Sequence, residues 1–109
     1  MKLQSIQSQP GKQAETNIQD IALARALSSA CAGEVTALFD LGVFYSTGSN
    51  GAPCDLIEAH KWFNIAASRS HDQAAHCRAD VSDEMTAREI AEAQRRARQW
   101  LAENRCRAA

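Results

Sequence analysis

The chain has 109 residues and a mass of 11.9 kDa, the size of one domain and too little for a two-domain cofactor enzyme. Alanine supplies 21 residues, nearly half of the 45% hydrophobic content, while five glycines, two prolines and three valines leave little for an all-β fold. Lys and Arg (12) balance Asp and Glu (13), so the overall field attracts neither nucleic acid nor an anionic membrane.

Residues 1–15 are polar, rich in Gln and Ser and broken by Pro10-Gly11, which predicts a disordered tail. They lack the apolar core of a signal peptide. No run approaches the roughly 20 apolar residues of a membrane span, and the expected location is a cytoplasm. Residues 16–105 are expected to form one helical domain. Its first helix starts from an Asn17 N-cap, carries Ile18, Ile21, Leu23, Ala26, Leu27 and Ala30 at helical spacing, and stops at Gly33. The second runs from about Glu34 to Thr47, with Val35, Leu38, Leu41, Gly42 and Tyr45 on one face and Gly48 as its stop. After a loop, Asp55 begins a third helix with Glu58 as a capping-box variant, and Ala59, Trp62, Phe63 and Ala66 form its apolar stripe as far as about Arg69. A weaker fourth helix spans about Asp72 to Asp83 and has no large aliphatic ridge. The fifth opens on a Thr86/Glu89 capping box and turns Ile90, Ala93, Ala97, Trp100 and Leu101 inward. Short connections favour antiparallel neighbours, so the predicted fold is all-α: about five helices in stacked hairpins, a short α-solenoid.

Residues 37–74 carry a specific spacing: Ala37, Leu41-Gly42, Tyr45, Gly48, Asp55, Ala59, Trp62-Phe63, Ala66-Ala67 and Ala74. This resembles the Sel-one-like repeat, a relative of the tetratricopeptide repeat, with one well-formed unit at about 35–70. Physical reasons support the spacing independently. Gly42, Ala59 and Ala66 let two helices approach closely, and Tyr45, Trp62 and Phe63 fill the groove that remains. The pattern is broken in three places. The loop before Asp55 has Ala52-Pro53 where a glycine-valine pair is usual, which removes its expected hydrophobic anchor. Ser70 replaces a turn glycine, and Arg78-Ala79 replaces the Leu-Gly of a second repeat. The flanking first and fifth helices are read as caps.

The resemblance implies a non-catalytic adaptor that holds another protein or peptide on the surface lined by the first helix of each hairpin. By the same analogy its setting is bacterial, in regulation or envelope-related signalling. Some cysteine-rich members of the family are associated with β-lactam binding or hydrolysis, but they use regularly paired cysteines. Here Cys31, Cys54, Cys77 and Cys106 are 23, 23 and 29 residues apart and are expected to be reduced, partly buried thiols. Nucleophile, phosphate-loop and paired-carboxylate patterns are missing, so neither catalysis nor a cofactor is expected. His60, His71 and His76 lack metal-ligand spacing and are read as exposed or helix-terminal.

Two candidate contact surfaces remain. On a helical wheel Phe44 falls outside the apolar arc, beside Asp40 and Ala37; it packs on the next helix or is an aromatic anchor for a partner. Arg95, Arg96, Arg98, Arg105 and Arg107 face only Glu103, a local excess of four positive charges that suits RNA or an acidic protein. Helix-dipole complementation and pairing with Glu92 explain the same arginines, and no aromatic residue interleaves to stack bases, so nucleic acid is the less favoured partner. Open ends of so short a stack also permit a homo-oligomer. If Trp62 fills the hairpin groove, Trp62→Ala costs about 3–5 kcal/mol in urea denaturation, and unchanged melting would contradict the repeat reading.

Overall fold

The computed structural model describes residues 21–104. The expected tail, the Asn17 cap and Arg105, Cys106 and Arg107 lie outside the described residues. Within them the chain is all-helical: α1 over 21–31, α2 Val35–Thr47, α3 Leu56–Ser68, α4 Asp72–Ser82 and α5 Ala87–Glu103. α1 ends where the Glu34 N–H donates to the Ser29 carbonyl and that of Gly33 to the Ala30 carbonyl, with Gly33 at φ +96°. At the end of α2 the N–H groups of Gly48 and Ser49 both donate to the Phe44 carbonyl.

α3 is the centre of the fold and packs against α2, α4 and α5. Because it is covered on three sides, it buries more than its predicted stripe: Ile65 and His60 are enclosed together with Ala59, Trp62, Phe63 and Ala66. α5 rests mainly on α3 rather than on α4, its neighbour in sequence. Its Ala93 and Ala97 are buried, and Trp100 meets Trp62 edge to face at 5.5 Å. Arg96 on α5 ties the same two helices by donating to Glu58 at 2.8 Å.

Asp55 caps α3 by accepting from the N–H groups of Ile57 and Glu58. The expected capping box is only half formed, because the Asp55 N–H donates to the Tyr45 carbonyl while the Glu58 carboxylate is taken by Lys61 and Arg96. Ala52 in the preceding loop is 5% exposed, although it stands outside the core cluster of the helices.

Gly42 faces the ring of Phe63: a Cβ there would lie 2.4 Å from two ring carbons. Phe63 is 2% exposed, so an added methyl group would force a packed ring to shift. At the C-terminus of α3, the His71 N–H donates to the Ala66 carbonyl and that of Ser70 to the Ala67 carbonyl, with Ser70 at φ +72°. This is the helix end at which glycine is favoured, and a serine there carries steric strain. Gly42→Ala is expected to lower stability by about 1–3 kcal/mol, and in thermodynamic cycles Phe63→Leu should cost less in that background than in the native chain. Ser70→Gly is expected to raise stability by up to about 1 kcal/mol, which a urea melt resolves.

Candidate functional site

The residues expected to form a repeat core come together in the α2/α3 hairpin. Leu41, Gly42, Ala59, Trp62, Phe63 and Ala66 are buried, while Tyr45 and Ala67 are half-buried against them. Gly48 is the left-handed cap of α2, and Asp55 caps α3. Burial pushes the Tyr45 phenol pKa up, aided by the negative charges of Glu58 and Asp55.

Two grooves open on this scaffold. The first, of about 290 Å³, lies between α1 and α2 and is bordered by Arg25, Ser29, Glu34 and Asp40. The second, of about 300 Å³, lies between α2 and α4: Val43 and Ser46 form one wall, Cys77, Asp80 and Val81 the other, Phe63 lies at its floor and Glu84 at its end. The Ser46 hydroxyl is occupied in donating to the Val43 carbonyl at 3.0 Å. Burial and then the Asp80 charge raise the Cys77 thiol pKa, which keeps it protonated and weakly nucleophilic at neutral pH. The sequence marks Cys77 only as a partly buried thiol and does not mark Asp80 or Glu84, although with Val81 the three repeat at three- and four-residue spacing.

The candidate contact residues are dispersed. Asp40 belongs to the α1/α2 groove, whereas Phe44 is half-buried and packs against the core. The aromatic residue with the more distinctive surroundings is Phe39, stacked on His71 at 4.5 Å and tilted against Phe63 at 5.7 Å. Two of the four arginines of α5, Arg95 and Arg96, are engaged. Arg95 grips Glu92 through two bonds and reaches Gln99, and Arg96 bridges Glu92 and Glu58. These guanidinium hydrogen bonds hold the Glu92 carboxyl down to about 2. Arg98 is exposed and has no ion-pair partner among the described residues.

The histidines divide differently from the expectation. His71 is helix-terminal, its Nδ1 accepting from the Ala74 N–H at 3.1 Å to cap α4, and His76 is exposed. His60 is not: it is 2% exposed, and its Nδ1 has no hydrogen-bond partner. It lies at the edge of the apolar stripe of α3, one turn before Phe63, and the packing of the neighbouring helices covers it. Burial lowers its pKa, and the nearby Arg78 charge adds to the effect. Among the described cysteines, all free, Cys31 and Cys77 are half-buried as expected, whereas Cys54 is exposed.

Among the described residues no group of His, Cys, Asp and Glu side chains is placed to hold a metal, and no helix is long and apolar enough to cross a membrane. The fold defines a small all-helical protein with short stacked helices. Comparison with family models, curated proteins and solved structures finds no match.

The buried His60 has a pH consequence. As pH falls through about 6.5 the unfolded chain takes up a proton at this position and the folded chain does not, so stability declines with falling pH until the lowered folded pKa is reached. Thermal melts between about pH 7.5 and 5.5 should show this decline in the native chain and a shallower one in His60→Leu. An unchanged slope in that variant would contradict it.

Proposed function

We propose that the protein is a non-catalytic adaptor of the Sel-one-like repeat kind, acting in a bacterial cytoplasm, which holds a peptide segment of another protein in the groove between α2 and α4. The observation that carries this reading is the groove itself. α2 and α4 both pack on α3, and between them Phe63 lies beneath an opening flanked by Val43 and Val81. The Gly42–Phe63 contact, the Asp55 cap and the left-handed Gly48 support the repeat assignment, since each does the work that the repeat spacing requires of it.

The groove's size and chemistry agree with this use. Its volume is at the low end of the roughly 300–1,000 Å³ of small-molecule sites, room for one or two side chains rather than a cofactor. Its serine hydroxyl is committed to a backbone carbonyl and its thiol is held protonated, so binding suits it better than chemistry. The alternative, an RNA- or acidic-protein-binding surface on α5, draws less support because Glu92 and Glu58 already occupy Arg95 and Arg96.

Ser46→Arg fills the groove from its rim and tests the reading. Peptides selected on the native chain from a random display library should bind Ser46→Arg at least about tenfold more weakly by fluorescence anisotropy, and Arg98→Glu should leave binding unchanged. The opposite pattern would assign binding to α5.

A further inference from the structure

The α2/α4 groove carries a charge imbalance that the fold does not answer. Cys77, Asp80, Val81 and Glu84 follow one another at intervals of three, one and three residues, and thus form a single stripe along α4 and the turn after it. Asp80 and Glu84 therefore stand at the same groove as the apolar surface of Val43, Phe63 and Val81. Asp83 caps this helix end, and the last turn of α4 holds no basic residue. The unsatisfied carbonyls of a helix C-terminus already amount to about half a negative charge, so carboxylates gathered there repel it.

Between α3 and α5 the carboxylates are compensated. Glu58 is paired with Lys61 and Arg96, and Glu92 with Arg95 and Arg96. Among the described residues, Asp80, Asp83 and Glu84 take part in no ion pair. The one arginine of α4 is directed away: Arg78 donates to Asn64 on α3 at 2.7 Å. The groove thus combines an apolar floor with a rim that lacks a cation.

We propose that the occupant of the α2/α4 groove is a peptide segment in which a large apolar residue stands next to a lysine or arginine. The apolar side chain enters against Phe63 between Val43 and Val81, and the cation pairs with Asp80 and Glu84 while relieving the negative end of α4. An acidic segment is excluded by like-charge repulsion, and a purely apolar one leaves both carboxylates unpaired at the edge of a newly dried surface. This assignment rests on the adaptor reading and adds the chemistry of its partner.

The test uses the full chain and a random heptapeptide display library, with Ser46→Arg as the counter-selection that marks groove-bound sequences. Enriched peptides should join Leu, Ile, Met or Phe to Lys or Arg. For the most enriched peptide, the double variant Asp80→Asn with Glu84→Gln should lower affinity about tenfold or more, with a weaker salt dependence than the native chain. The same variant should melt no lower than the native chain, because it removes charges from the negative end of a helix. Groove-bound peptides without basic residues, or an affinity that the double variant leaves unchanged, would overturn the charge assignment and leave the adaptor reading standing. A double variant that melts lower would show that the fold itself uses these carboxylates, which also overturns the assignment. Absence of any enrichment would overturn both readings.

Discussion

The Phe63 ring occupies the space left by the missing side chain of Gly42, and the rest of the fold depends on that contact. A chain with this little bulky apolar material cannot fill wide gaps between helices, so its backbones must come close. Glycine and alanine at the crossing of α2 and α3 permit the approach, and one large ring then seals it. α3 is held tightly enough to serve as the axis on which α4 and α5 settle. The same ring reaches through to the floor of the α2/α4 groove, so the element that closes the hairpin also shapes the candidate binding surface.

Polar chemistry is distributed unevenly around this axis. On the α5 side, Glu58 and Glu92 neutralise Arg95 and Arg96 and join two helices, with Lys61 4.3 Å from the Trp62 ring and Arg69 5.7 Å from that of Trp100. That side spends its charges on the fold. On the α4 side, Arg78 is drawn inward to Asn64 and the carboxylates of the groove stay unpaired among the described residues. Buried beneath is His60, whose enclosure, together with the Arg78 charge, makes the centre of the molecule sensitive to acid. Arg95 and Arg96, which attract attention in the sequence, therefore serve the fold, whereas the modest acidic stripe on α4 takes part in no ion pair among the described residues.

The sequence by itself determined the helices and most of their ends. Periodicity located the five helices, and local signals such as Thr86/Glu89, Asp55, Gly33 and Gly48 act through neighbouring backbone groups, so they are legible without a fold. The close approach at Gly42 was legible too, because only small residues allow it. Tertiary structure decided what depends on which surfaces meet. The predicted stripe gives α3 one inward face, but α3 is covered on three sides, and this buried Ile65 beyond the stripe and His60 against expectation. Glu58 left its capping box because a distant arginine on α5 came within 2.8 Å, a contact between residues 38 positions apart. The groove of Val43, Phe63, Cys77, Asp80 and Glu84 exists only where α2 and α4 flank α3, since no spacing along the chain specifies the gap between two helices.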